Sequence, residues 1–244
     1  MAHILVTGSA DGLGRATADT LLTQGHHVIV HARNPDRAQT LTDLVDRGAT
    51  LIVADFSQRQ EVLDAAHSLN GGQAIDAVIH NAGVLSGQAV IPVNVVAPYL
   101  LTVLLRTPTR HVYLSSGMHR GGRVELDRLD WNGDRAAGSY SDSKLLVTTL
   151  ALGVARRLAP QVLANAVDPG WVPTKMGGAG APDDFDLGHQ TQERLATDPG
   201  FTVSGGYWFH GRQQKPYPPA RNPEVQNELL EALAAATGVK LPLK

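Results

Sequence analysis

Tyr140 and Lys144 lie four residues apart in the run Ser139-Tyr140-Ser141-Asp142-Ser143-Lys144-Leu145-Leu146-Val147. Apolar residues at helical intervals follow, so the pattern predicts a helix over 140–158 with both side chains on one face, one turn apart. An ammonium beside a phenol favours the phenolate. A free tyrosine titrates near pH ~10, so poising it about three units lower takes roughly 4 kcal/mol of differential stabilisation. A phenol tuned in that way exchanges a proton with an alcohol or ketone oxygen near neutral pH. Taken alone, the pair is also what two exposed residues sharing a helix by chance would look like.

The elements that must position this pair are legible in the hydropathy pattern. Short β-branched runs at 4–6, 27–30, 50–54, 75–79, 110–114 and 161–167 alternate with amphipathic stretches at 12–24, 36–47, 58–69, 94–105 and 140–158. Strict alternation predicts one α/β domain over 1–244, a doubly wound parallel sheet with helices on both faces. The strand runs are almost wholly apolar, as expected of strands covered on both sides. The segments 117–138, 177–200 and 210–223 interrupt the rhythm and read as loops or insertions. A terminal amphipathic helix is expected over 224–237, and Tyr207, Trp208 and Phe209 read as core residues of a last strand rather than an aromatic wall.

Thr7-Gly8-Ser9-Ala10-Asp11-Gly12-Leu13-Gly14 joins the first strand to the first helix. In that position Gly8 permits a tight turn, Gly12 lets backbone approach a pyrophosphate, and Gly14 allows close packing. The helix N-terminus offers free N–H groups and the positive end of a dipole to phosphates. This is a Rossmann-type dinucleotide site. The second strand ends in His31-Ala32-Arg33-Asn34. An acid at this point commonly binds the adenosine ribose of NAD. None is present, and Arg33 is suited to a 2′-phosphate and to stacking on adenine. NADP(H) is therefore expected over NAD(H).

Further motifs fall in a fixed order after successive strands. Asp55-Phe56 follows the third, Asn81-Ala82-Gly83 the fourth, Ser115-Ser116 the fifth, and Pro169-Gly170-Trp171-Val172-Pro173-Thr174 the sixth. Together with Thr7–Gly14 and the Tyr140/Lys144 pair they resemble the short-chain dehydrogenase/reductase family, in its compact branch, over about the first 175 residues. The resemblance implies that Ser116, Tyr140, Lys144 and Asn94 are catalytic, with Asn94 supporting a proton relay. It implies cofactor contacts from Gly8, Ser9, Gly12, Leu13, Gly14, Arg33, Asp55, Phe56, Asn81, Ala82, Gly83, Tyr140, Lys144, Pro169, Gly170, Val172 and Thr174. Asp55 would meet the adenine amino group, although it also suits a cap on the segment that follows. Ser115 and Ser116 must face opposite ways, and the family's register selects Ser116.

Two departures from the family stand out. The 84–93 segment is short, and 117–138 is an insertion. Ser115-Ser116-Gly117-Met118-His119 before that insertion resembles the retinol-dehydrogenase-like subset. There His119 would line the substrate pocket, or be a loop histidine without a role. By resemblance 177–200 would form a lid over a moderately lipophilic carbonyl or alcohol, and the Tyr140 helix would mediate a homodimer or homotetramer.

The reaction implied is reversible hydride transfer between a nicotinamide and a carbonyl or alcohol, with Tyr140 as general acid or base. The alternatives are a non-catalytic NADP(H)-sensing regulator on the same fold, and an isomerase or dehydratase using the cofactor transiently. An intact Ser116, Tyr140 and Lys144 set argues against the first. Glycine spacing argues against the second. The net charge of −2 gives no case for nucleic acid, and the absence of cysteine excludes disulfides and thiolate metal sites. With no apolar run of membrane-spanning length, no membrane span is expected, and the expected location is cytoplasmic.

Overall fold

In the computed structural model, which describes residues 1–242, seven strands run parallel. They are β1 (His3–Val6), β2 (His27–Ala32), β3 (Thr50–Val53), β4 (Ala77–His80), β5 (Arg110–Leu114), β6 (Leu163–Asp168) and β7 (Tyr207–Phe209). An eighth, β8 (Arg212–Gln214), pairs antiparallel with β7. The order is β3-β2-β1-β4-β5-β6-β7-β8. Strand order reverses between β1 and β4, and open parallel sheets bind ligands at the carboxyl ends of strands at such a switch point.

Alternating side chains divide the interior into two cores. In β1, Ile4 and Val6 pack on one face with Leu21 of α1 (Gly12–Thr23) and Leu195 of α7 (Phe185–Thr197). Leu5 points the other way, toward the core shared by α4 (Arg59–Asn70), α5 (Ala97–Leu104), α6 (Tyr140–Leu158) and α9 (Pro223–Thr237). One strand thus serves both layers through its period of two.

The helix expected over 36–47 is broken. It forms α2 (Pro35–Ala38), a short 3₁₀ turn and α3 (Thr42–Asp46). Thr40 and Thr42 donate their hydroxyls to the carbonyls of Arg37 and Gln39, at 2.8 and 2.9 Å. Such side-chain bonds compete with helical ones. The region 177–200 is also not a loop. Asp184 caps α7 by accepting from Leu187 N at 2.9 Å, and α7 then packs along α1 as the crossover from β6 to β7. Within 177–200 the stretch before α7 and residues 198–200 after it are irregular, so a lid over the whole of 177–200 is not what the fold provides.

The inserted and the shortened segments fit each other. The helix before α5 starts early and is wound as a π-turn over Pro92–Val96. The 117–138 insertion lies against it: a Cβ on Gly133 would come within 2.9 Å of Pro92, and one on Gly138 within 2.9 Å of Ile91. Likewise α6 is covered by the chain itself. Its residues Ser143 to Ala155 are all buried, with α9 and the short α8 (Pro218–Arg221) packed over it. Arg156 Nε donates to Gln226 Oε1 across that contact at 2.8 Å. The C-terminal helix thus packs on the helix expected to join subunits. No helix among the described residues is long and apolar enough to cross a membrane.

A buried histidine pair joins β4 to β5. His80 Nε2 and His111 Nδ1 are 3.1 Å apart, and His80 Nδ1 has no hydrogen-bond partner among the described residues. Burial pushes His111 from 6.5 down to about 4, and burial with the neighbouring His111 holds His80 well below its ordinary value. The folded chain thus binds fewer protons than the unfolded one between these values. Stability is full above pH ~6.5 and is lost as pH falls toward ~4, by about 3 kcal/mol for His111. Thermal unfolding across that range should show this slope, flattened in His111→Gln; an equal slope in the variant would assign the acid sensitivity elsewhere.

Candidate active site

The turns after β1 and β4 are one unit. Asn81 Nδ2 donates to the carbonyls of Thr7 and Gly8 at 2.9 and 3.1 Å, and Ala82 N donates to Thr7 Oγ1 at 3.0 Å. Gly8 has φ 67°, and a Cβ there would approach Ala82 Cα to 2.8 Å. At Gly14 a Cβ would meet Asn81 Nδ2 at 2.2 Å and Gly8 O at 2.5 Å. Both positions require glycine because the two turns touch.

Asp11 precedes α1 but does not cap it, and the first turn of α1 carries no acid. Its carboxylate is held by Arg37 and by Lys175, the latter at 3.4 Å. The N–H groups of the first turn are left without a side-chain acceptor, the condition that suits a bound phosphate. A cleft of about 520 Å³ opens there. It is lined by Gly8, Gly12, Leu13, Gly14, Arg33, Asp55, Phe56, Asn81, Ala82, Gly83, Tyr140, Lys144, Pro169 and Thr174.

At one end Arg33 is exposed and makes no hydrogen bond or ion pair among the described residues. Asp55 Oδ1 accepts from Ser57 N at 2.9 Å, which is the capping role, while Asp55 still borders the cleft. Phe56 is buried and stacks on His31 at 3.9 Å. Gly8 N donates to His31 Nδ1 at 2.9 Å, so the ring proton sits on Nε2 and is donated to Ala54 O at 2.8 Å. Burial lowers His31 to about 4 and keeps it neutral. The only signal for His31 in the sequence is a histidine inside an otherwise apolar strand.

At the other end α6 begins at Tyr140 because Ser139 and Asp142 form a capping box. Ser139 Oγ accepts from Asp142 N at 3.1 Å and Asp142 Oδ2 accepts from Ser139 N at 2.8 Å. One turn on, Lys144 Nζ lies 5.4 Å from the Tyr140 ring centroid and donates to Leu114 O at 2.7 Å. The two serines face opposite ways. Ser115 is buried, with Oγ 2.6 Å from Thr148 Oγ1 on α6. Ser116 is half-buried; its Oγ accepts from Met118 N at 3.2 Å and lies close enough to the Tyr140 phenol to lower its proton affinity. Asn94 sits in the π-turn with its amide fully engaged: Oδ1 accepts from Val84 N, and Nδ2 donates to Val84 O and Ser143 Oγ, all at 2.9 Å.

The comparisons with known proteins agree with this geometry. The sequence model described as short chain dehydrogenase matches residues 2–105. An uncharacterised oxidoreductase of Emericella nidulans is 35% identical, with 99% of each chain covered. The short-chain dehydrogenase chyC of Penicillium rubens is 34% identical over 99% of this chain and all of its own. The chain belongs to the short-chain dehydrogenase family. Human retinol dehydrogenase 13 is 26% identical over 98% of this chain and 85% of its own. In fold, a Mycobacterium paratuberculosis protein matches with TM-score 0.82 at 24% identity, over 100% and 96% of the two chains. An Escherichia coli chain solved with NADPH matches with TM-score 0.71 at 24% identity, over 86% and 97%. The protein is thus an NAD(P)-dependent oxidoreductase of this family.

Against the family's motif several expectations change. Ser9 is fully buried; its hydroxyl donates to Val6 O and accepts from His31 N, so it ties the loop to β2 instead of entering the cleft. Gly170 and Val172 do not line the cleft. Val172 is buried toward Gly188 of α7, and Gly170 is turned toward Asp183 and His210. Of the two serines it is Ser115, not the expected Ser116, that borders the cleft, and Asn94 stands behind Gly83, where a Cβ would lie 3.4 Å from Asn94 Oδ1 and 3.7 Å from Lys144 Nζ. His119 is buried and binds backbone, so it does not line a pocket.

The largest correction concerns Tyr140. Its phenol is raised to about 12, chiefly by burial, with the Ser116 bond lowering it and the Asp168 charge raising it. Lys144 is itself lowered to about 8 by burial. Desolvation outweighs the ammonium, which reverses the expected direction. Asp168, Tyr207, Arg37 and Lys175 also belong to this site's surroundings and carry no motif. If Gly14 is the joint described, Gly14→Ala should weaken NADPH binding at least about tenfold in a fluorescence titration; an unchanged Kd would separate the turn from the cofactor.

Proposed function

We propose that this chain reduces lipophilic ketones or aldehydes with NADPH, the reverse oxidation running through the same groups. The observation that carries this reading is the convergence of Tyr140 and Lys144, with Ser116 beside the phenol, at one end of a cleft whose other wall is the uncapped α1 N-terminus. When bound, the nicotinamide supplies or takes up the hydride. The chain's own residues do the rest. Tyr140 donates its proton to the substrate oxygen as charge develops there. Ser116 holds that oxygen by hydrogen bond. Lys144, its value still about 8, remains an ammonium at neutral pH and is placed to bind the nicotinamide ribose.

The rim supports a lipophilic substrate. Met176 lines the cleft, with its Sδ 4.0 Å from the Tyr140 hydroxyl. NADP(H) preference is supported by the unpaired Arg33 beside Arg37, with no acid at the end of β2. The NADPH in the E. coli neighbour is in keeping with it.

Tyr140→Phe should abolish nearly all turnover over a carbonyl panel while leaving NADPH affinity within about threefold; turnover near wild type removes Tyr140 from the chemistry. Arg33→Ala should raise KM for NADPH about tenfold or more and leave that for NADH nearly unchanged. Equal or better wild-type efficiency with NADH would contradict the cofactor assignment.

A further inference from the structure

We infer that Asp168 is a positioning residue that acts through its charge on Lys144 and Tyr140, and that the Tyr207 hydroxyl sets how strongly it acts. The inference rests on the roles proposed above for Tyr140 and Lys144. Asp168 ends β6 and is 8% exposed. Its Oδ1 accepts from Gly170 N and its Oδ2 from the Tyr207 hydroxyl, both at 3.0 Å. A Cβ on Gly117 would lie 3.3 Å from Oδ2, so the carboxylate is pressed beneath the turn that carries Ser116.

Both donors are neutral, and no cation forms a salt bridge with Asp168 among the described residues. A buried charge without a direct partner acts at longer range through the low-dielectric interior. Lys144 Nζ sits on Leu114 O, Ser115 N donates to Val167 O at 2.7 Å, and Asp168 is the next residue. The carboxylate therefore lies one strand position from the carbonyl that holds the ammonium, with the Tyr140 ring 5.4 Å from Nζ. Tyr207 from β7, and His119 and Arg120 from the turn after β5, complete its surroundings. His119 is neutral: Tyr217 N donates to its Nε2 at 2.9 Å, so its proton is on Nδ1, facing Ser116 O at 2.8 Å. Arg120 lies at the surface, donating to Lys215 O. Lys144 is the buried cation of the set, and its own hydrogen bond goes to the neutral Leu114 carbonyl. The Asp168 charge raises the proton affinity of Lys144 against its burial, and raises that of Tyr140 as well. The Tyr207 hydrogen bond disperses part of that charge, so losing it strengthens the field.

The two partners therefore carry opposite signs. In the full chain, side-chain NMR titration of Lys144, assigned by its loss in Lys144→Arg, reads the effect without turnover. Asp168→Asn should lower the midpoint from about 8 by about one pH unit. Tyr207→Phe should raise it. The basic limb of carbonyl reduction should move the same way in each variant. An unmoved midpoint in Asp168→Asn, or shifts of the same sign in both, overturns the inference. A merely structural Asp168 would lower kcat and Tm but leave the midpoint in place. Should Asp168→Asn not fold, Tyr207→Phe decides alone, and a lowered or unmoved midpoint is negative. Shifted midpoints in a chain that reduces no carbonyl would sink the proposed function and leave this inference standing; turnover with fixed midpoints would do the reverse.

Discussion

A buried ammonium whose hydrogen bond goes to a main-chain carbonyl is costly to keep, and Lys144 sits in that position on Leu114 O. Much of the site follows from holding it there. The Ser139–Asp142 capping box starts α6 at the residue that puts Tyr140 one turn ahead of it. The end of β5 brings both the accepting carbonyl and Ser116. Asn94, locked to Val84 and Ser143, closes the space behind Gly83 and keeps α6 against the shortened crossover. Burial lowers the ammonium's proton affinity and raises the phenol's, so the pair is tuned by desolvation first and by charge second.

The sequence revealed those parts whose physics is local. Apolar periodicity after Tyr140 set α6, and apolar strand runs with glycine turns set the sheet edge. What stayed hidden depends on distant partners. α7 buries Gly188, His189, Thr191, Gln192 and Glu193, with Gln192 donating to Thr17 of α1. With so many polar residues and Gly188 on its inner face, the segment carries too few apolar residues to stand out, so the helix reads as a loop. The direction of the Tyr140 shift depends on how deeply the phenol is buried, which a spacing of four cannot tell. Ser9 sits in the right loop, yet its hydroxyl is taken up by β2. Asp168 looks like an ordinary strand end until Tyr207, some forty residues later, is placed against it.

The chain's departures from its family compensate one another. The compressed 84–93 segment removes cover from the helix that carries Asn94, and the 117–138 insertion restores it through Gly133, Gly138 and the bond from Arg59 Nη2 to Asn132 Oδ1 at 2.6 Å. The C-terminal stripe of Leu229, Leu230 and Leu233 finds its partner on α6 within the same chain. The two helices meet at Gly153, where a Cβ would lie 3.4 Å from Gln226 and Leu230. Both adjustments cover the helices that carry the catalytic candidates and leave the cleft edge open.

The central claim is that Tyr140 and Lys144 serve a nicotinamide cofactor seated between the α1 N-terminus and the end of β5. A crystal structure of the chain with NADPH tests it most directly. The account predicts the pyrophosphate on the N–H groups of the first turn of α1, the nicotinamide ribose on Lys144 Nζ, and the Tyr140 hydroxyl beside the nicotinamide ring. A cofactor bound elsewhere, or a ring out of reach of that hydroxyl, would contradict it.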